Sequence, residues 1–272
     1  MLSTADAYGL RFYFPEGDNY IGPYLQNYGE FVRAELDVML AWADISAPGW
    51  FVDAGGNIGA IALPFARERP DWKVLTIEAH RPLSNVLAAN AVVNGLHNVQ
   101  VMNAAVGAAP GIAAFPAWSL ASRGNFGVLR FGLDAPTEPV RMTTLDETAP
   151  STTRLVKMDI EGYEAEALKG ARDLISKIRP AWFFEVGHDR EAVARECFEV
   201  FLSAGYKLFW FFTPPVLPNS LPDPSQFNHR VGDLNVIALP HGELSWGLTP
   251  ITSKAAPWPT YKEGLAYLER YL

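Results

Sequence analysis

Apolar and polar positions follow two periods along the chain. Over residues 30–45, Phe31, Ala34, Leu36, Val38, Met39 and Trp42 recur near helical spacing, and Pro48-Gly49 closes the segment, so a helix is predicted there. From Trp50 onward, short apolar runs alternate with amphipathic stretches. The runs predict strands at Trp50–Ala54, Lys73–Glu78, Val99–Asn103, Arg154–Ile160, Ala181–Val186, Tyr206–Phe212 and Leu234–Leu239. The stretches between them predict helices at Ile58–Arg67, Pro82–Val93, Ala165–Ile178 and Arg190–Leu202. Near-continuous apolar strands alternating with helices imply βαβ units, hence a mostly parallel sheet covered on both faces. No helical pattern separates the last two strands, so one of them is expected to run antiparallel.

Three segments break this rhythm. Residues 1–28 are aromatic and punctuated by Gly and Pro, and read as an irregular leader. Residues 104–150 carry no long helical pattern and are expected as short strands or loops over one edge. Residues 213–232 hold five prolines between Pro214 and Pro224, a loop long enough to suggest a role over the site. The organisation expected is a leader and helix over 1–45, a ligand-binding domain over 46–240, and an extension over 241–272 ending in a helix at Tyr261–Tyr271.

Composition narrows the class. With 49% hydrophobic residues in 272, the chain can build a packed core. Lys plus Arg number 22 against 30 Asp plus Glu, a formal charge of −8, which disfavours general nucleic-acid binding. The single cysteine, Cys197, rules out an intramolecular disulfide and a cysteine-based zinc site. Met1–Phe14 lacks a secretory-signal pattern, and neither Trp50–Ala66 nor Ala181–Val186 supplies the ~20 apolar residues of a spanning helix. A cytoplasmic protein without a membrane span is expected.

The chemistry begins at Phe51-Val52-Asp53-Ala54-Gly55-Gly56-Asn57-Ile58-Gly59, a strand followed by a glycine turn and a helix start. Such a turn lets a ligand approach the backbone. Glu78 ends the next strand 25 residues after Asp53, where an acid can accept both hydroxyls of a ribose. A dinucleotide fingerprint needs a middle glycine to admit the pyrophosphate. Asn57 stands in its place, and the last glycine comes one residue early. Asp53 would repel a phosphate but suits a ligand with an ammonium and a sulfonium. S-adenosylmethionine has both. A nicotinamide-dependent oxidoreductase and a non-catalytic cofactor-binding protein are the alternatives.

These residues resemble the FkbM family of S-adenosylmethionine-dependent methyltransferases. The likeness runs from about residue 26 to 240. Asn27-Tyr-Gly-Glu-Phe31 with Glu35 is similar to the family's element before the first helix, Asp53–Gly59 to its first cofactor motif, and Glu78-Ala-His-Arg-Pro82 to its second. Asn90 and Asn94 fall in the helix that follows, and Asn103-Ala-Ala-Val-Gly107 and Thr144-Leu-Asp146 also fit. The most specific stretch is Leu155-Val-Lys-Met-Asp-Ile-Glu-Gly-Tyr-Glu164 with Leu168-Lys-Gly-Ala171, then Arg179-Pro180 and Phe184-Glu185. Gly56 stands where the family more often has Ala, and His80-Arg81 where many members have Pro-Asn. The resemblance implies a class I methyltransferase, a Rossmann-like α/β fold with a seven-stranded, mostly parallel sheet and an antiparallel last strand. It further implies methylation of a hydroxyl on a sugar, glycolipid or natural product, the acceptor being a small molecule or glycan.

Ligands of open α/β sheets bind beyond the carboxyl ends of the strands, which puts Asp53, Glu78, Asp159 and Glu185 on one rim. Gly55, Asn57 and Gly59 would shape the cofactor loop, Glu78 would take the ribose, and Asp53 the methionine end. Ala79, Asn103 and Ala104 follow strands at the adenine side. The resemblance adds Tyr28 and Glu30 at the cofactor's amino-acid end. For catalysis, Asp159 and His188 are candidate base and positioner, with Glu161 and Glu185 as further acceptor ligands; Asp159, next to where the methyl group should lie, is also expected among the cofactor-binding residues. His229 is a weaker candidate. An Asp159/Glu185 pair could hold Mg²⁺, but no third ligand is evident, so no metal is expected. Phe209–Phe212 reads as a buried strand, and Lys157 as a partner for a nearby acid. Arg123, Asn125 and Arg130 could meet a polar acceptor.

Overall fold

The computed structural model describes residues 1–228, 230–241, 244, 246–260 and 266–271, without the side chains of 188, 266, 269 and 270. Its main sheet contains β3 (Trp50–Ala54), β4 (Lys73–Glu78), β5 (Val99–Asn103), β9 (Thr153–Met158), β10 (Ala181–Glu185), β11 (Lys207–Thr213), β12 (Asp233–Leu239) and β13 (Pro250–Ile251). Their order is β13-β11-β12-β10-β9-β3-β4-β5. β5, β4, β3, β9 and β10 are mutually parallel, and β12 runs antiparallel to both β10 and β11. The expected reversed strand is therefore present. Among the described residues the expected count of seven becomes eight, because the two-residue β13 adds to β11 at the edge.

The alternation of side chains along each strand explains the two-sided core. Phe51, Leu155, Phe183 and Ile237 face one apolar layer. Val52, Val156, Trp182, Phe184 and Val236 face the other. The first layer is covered by α2 (Arg33–Asp44), α3 (Ala62–Glu68) and α4 (Arg81–Val93), the second by α6 (Glu164–Lys169) and α7 (Glu191–Ser203). The same alternation puts Asp53 on the face of Phe51 and Lys157 on that of Leu155, towards α2. Among the described residues, no helix is long and apolar enough to cross a membrane.

Several expectations are corrected. Residues 1–28 are not irregular: β1 (Leu2–Ala7) and β2 (Leu10–Pro15) form an antiparallel hairpin, followed by α1 (Ile21–Tyr28). Tyr8 and Gly9 both have positive φ, the geometry of the tight turn that suits strand twist. The hairpin is fastened to α4 by two asparagines. Asn90 accepts from the Tyr13 N–H at 2.7 Å and donates to the Tyr13 carbonyl at 3.0 Å. Asn94 makes the same pair with Arg11 at 2.8 and 2.7 Å.

The helix expected over Ala165–Ile178 is broken. α6 ends at Gly170, where a Cβ would lie 2.3 Å from the Gly107 carbonyl, and a π-helical turn follows at Leu174–Ile178. Asp146 accepts from the N–H groups of Asp173 and Leu174 there, at 3.1 and 2.8 Å. Residues 104–150 form a separate sheet of β6 (Ala105–Val106), β7 (Gly111–Pro116) and β8 (Thr137–Thr143), then α5 (Leu145–Thr148) with a Thr144/Glu147 capping box. Of the terminal helix expected at Tyr261–Tyr271, residues 261–265 lie outside the described residues, and Ala266–Tyr271 is 3₁₀.

Candidate active site

At the carboxyl ends of β3, β4, β9 and β10 the structure opens into a cavity of about 380 Å³. It lies where the sheet order turns around β3, with β4 on one side and β9 on the other. Reversal of β12 brings that strand's first residues, Asp233 and Asn235, to the same rim.

One half of the cavity is built by main-chain geometry. Gly55 has φ +89°, and a Cβ there would stand 1.8 Å from the Asp159 carbonyl. A Cβ on Gly56 would stand 1.9 Å from Thr76 Oγ1. Only glycine allows β3, β4 and β9 to close this tightly. Asn57 takes positive φ (49°), which asparagine tolerates, and its N–H donates to Glu78 Oε2 at 2.8 Å. Glu78 Oε1 accepts from the His80 N–H at 2.7 Å. Glu78 thus ties the glycine turn after β3 to the turn after β4. Burial pushes the Glu78 carboxyl up to about 7, against the pull of the two N–H donors.

Asp53 is 2% exposed and lines the cavity, yet among the described residues its Oδ1 has no hydrogen-bond partner. Its Oδ2 accepts a long bond from Thr76 at 3.4 Å. Burial raises this carboxyl to about 6, opposed by the Lys157 ammonium. A buried, unsatisfied acceptor in a cavity marks a place for a donor or cation.

The other half is built by side chains. Asp159 Oδ2 accepts from Lys157 Nζ at 3.0 Å, and the Asp159 side chain stays 40% exposed to the opening. Glu161 and Glu185 share Arg190, at 3.2 and 3.3 Å. Carboxylate oxygens of Asp159, Glu161 and Glu185 lie within 4.8 Å of one another. The third acid that an ion site would need is thus Glu161, but Arg190 already holds two of the three. Burial and the neighbouring Asp159 charge raise Glu161 to about 8 and Glu185 well above its ordinary value. Glu161 itself has φ +57° and is followed by Gly162 at +92°, a strained turn that aims the side chain.

Of the cofactor residues expected from the sequence, Asp53, Gly55, Asn57, Glu78, Ala79, Ala104 and Asp159 line this cavity. Gly59 does not, but has φ +91° in the turn. Asn103 donates to the carbonyls of Glu78 and Ala79 at 2.8 and 3.1 Å, shaping the rim from behind. Tyr28 and Glu30 also lie off the cavity: the Glu30 carboxylate is occupied by the Leu217 N–H at 2.7 Å. From this stretch Tyr20, Phe31, Val32 and Glu35 line it instead.

No described residue of the proline-rich loop reaches the cavity. The loop braces the N-terminal wall through Leu217 and through the Pro215 carbonyl, which accepts from Val32 at 2.9 Å. Of the catalytic candidates, Asp159, Glu161 and Glu185 converge. His188 begins a 3₁₀ turn after β10, and its side chain lies outside the described residues, as does His229. Asn125 and Arg130 line the cavity and Arg123 does not. Sequence reasoning missed Tyr20, Arg190, Asp233 and Asn235. Only Asp233 carried a signal, as an acid opening a strand expected to be reversed.

The strand order, the reversed β12 and the glycine turn beneath an acid-tipped neighbour define the class I methyltransferase fold. The model of the Methyltransferase FkbM domain matches residues 53–208, more than half of the chain. The chain belongs to the FkbM methyltransferase family, whose methyl donor is S-adenosylmethionine.

Among solved structures, the chain is similar to the methyltransferase FkbM from Methylobacillus flagellatus KT. The two are 20% identical with a TM-score of 0.47, over 72% of this chain and 45% of that one. The chain thus spans less than half of that protein's length. It is also similar to the putative transferase PH0793 from Pyrococcus horikoshii, at 12% identity and a TM-score of 0.47 over 87% and 70%. A third is M. jannaschii TYW2 in complex with AdoMet, at 15% identity and a TM-score of 0.43 over 87% and 84%. No curated protein matches the chain.

Proposed function

We propose that this protein transfers a methyl group from S-adenosylmethionine to a hydroxyl of a small molecule or glycan: a sugar, a glycolipid or a natural product. The observation that carries the reading is the meeting, in one cavity, of a glycine-walled half with a half lined by Asp159, Glu161 and Glu185. The residues fit the cofactor. Asp53 Oδ1 offers an unused buried acceptor to its ammonium, and Gly55 and Gly56 leave room for close backbone approach. Glu78 retains lone pairs on both oxygens for ribose hydroxyls, and the volume lies in the range of small-molecule sites.

When bound, S-adenosylmethionine supplies a methyl carbon activated by its sulfonium. Asp159 orients the acceptor hydroxyl and takes its proton as the oxygen gains the methyl group. His188, on the same rim by its backbone, is the other candidate for that proton. Glu161 and Glu185, steadied by Arg190, accept further acceptor hydroxyls.

The test is calorimetric binding of S-adenosylhomocysteine, followed by transfer of labelled methyl from S-adenosylmethionine to a panel of sugars, glycolipids and polyketide-like alcohols. A methyl ether on one member is expected. A protein that binds neither nucleoside would refute the reading.

A further inference from the structure

Lys157 is 5% exposed in the middle of the sheet. Its Cα is paired across β3–β9 with that of Asp53, and its Nζ holds Asp159 at 3.0 Å. Glu35 of α2 closes the group from the covering helix, itself fixed by Asn235 Nδ2 at 3.2 Å. Burial alone would lower the lysine's proton affinity, yet the charges of Asp159, Asp53 and Glu35 hold it above the ordinary value. The lysine thus stands as a cation bonded to Asp159 and opposite Asp53 on the neighbouring strand. Asp159 and Asp53 supply most of this field, and Glu35, from outside the matched span 53–208, adds to it.

We propose that Lys157 is a positioning residue that sets the charge of the Asp53–Asp159 pair, and so fixes how strongly the pocket prefers the sulfonium of S-adenosylmethionine over the uncharged sulfide of S-adenosylhomocysteine. The inference rests on the reading that this cavity takes that cofactor. Methyl transfer destroys the sulfonium charge. The field of carboxylates near this charge, Asp53 at the ammonium and Asp159 at the acceptor, holds the ground state more tightly than the transition state, which opposes the reaction. A buried ammonium beside them, bonded to Asp159 Oδ2, offsets that field.

The test needs no acceptor. Affinities for S-adenosylmethionine and S-adenosylhomocysteine are measured by calorimetry on the full chain. In Lys157→Met the ratio of the two affinities should shift at least about tenfold towards S-adenosylmethionine, as expected for loss of one nearby unit charge at reduced dielectric. In Lys157→Met/Asp159→Asn, which restores the net charge, the ratio should return to within about threefold of wild type. Lys157→Arg should leave it unchanged. A purely structural lysine would weaken both ligands alike and leave the ratio fixed, and that result overturns the inference. If Lys157→Met does not fold, Lys157→Gln takes its place, and an unshifted ratio there counts equally against it. A wild-type chain that binds neither ligand defeats the reading of the cavity itself, and the inference with it.

Discussion

The two halves of the cavity are both acidic but are held in different ways. On the β3–β4 side, Glu78 is fixed by the main-chain N–H groups of Asn57 and His80, and the wall is glycine packed against carbonyl and hydroxyl. On the β9–β10 side, Glu161 and Glu185 are held by a long side chain, Arg190, and Asp159 by Lys157. Backbone donors survive any side-chain substitution short of proline, so the first half keeps its hydrogen bonds whatever side chains surround it. Side-chain partners can be replaced without refolding the turn, so on the proposed reading the second half is the one that would tune the acceptor. The flanking wall of Tyr20, Phe31, Asp233 and Asn235 belongs to this second half and lies outside the family-matched span.

The contrast can be broken most sharply at Asp159. Asp159→Asn should lower methyl transfer by about 10²-fold or more while S-adenosylhomocysteine binding stays within about threefold, read by labelled-methyl turnover beside calorimetry. Equal losses in both would place Asp159 in the cofactor half. Next in size, Gly55→Ala should cost about 3 kcal/mol or more in urea unfolding, because its Cβ would collide with the Asp159 carbonyl at a positive φ. A near-neutral result would mean that the main-chain half is more pliable than its contacts indicate.

A subtler test uses pH. Glu35 and Glu161 at about 8 and Glu78 at about 7 are raised above the ordinary value of 4.5, mainly by burial. The folded chain therefore binds more protons than the unfolded chain between about pH 4.5 and 8. Stability contributed by these groups is fully present below the unfolded value and is lost as pH rises through the folded values. The melting temperature of the ligand-free protein should accordingly fall by several degrees from pH 5.5 to pH 8. A rise over that window would show that these carboxyls are not buried as described.

The glycine-walled half was legible in the sequence because its parts are local. A strand, a glycine turn and an acid ending the next strand are consecutive signals, and β3, β4 and β5 lie within a residue of where the pattern puts them. Asp159, Glu161 and Glu185 were legible for the same reason, as strand-end acids. What escaped was non-local. The leader's strands carry weak alternation, with Ala5 and Ala7 as buried positions, and become a hairpin only against Asn90 and Asn94. Tyr28 and Glu30 were expected at the cofactor by resemblance, but Leu217, 187 residues from Glu30, captures that carboxylate.

The sequence by itself determined the layered α/β fold, the glycine turn, and the acids that end β3, β4, β9 and β10, because period and turn chemistry are written in neighbouring residues. Tertiary structure alone decided that Arg190 bridges Glu161 and Glu185, that Lys157 bonds Asp159 while paired across the strands with Asp53, and that reversed β12 delivers Asp233 to the rim. The cause is that charge pairing and desolvation depend on which distant strands become neighbours, a property of sheet order that no local spacing encodes.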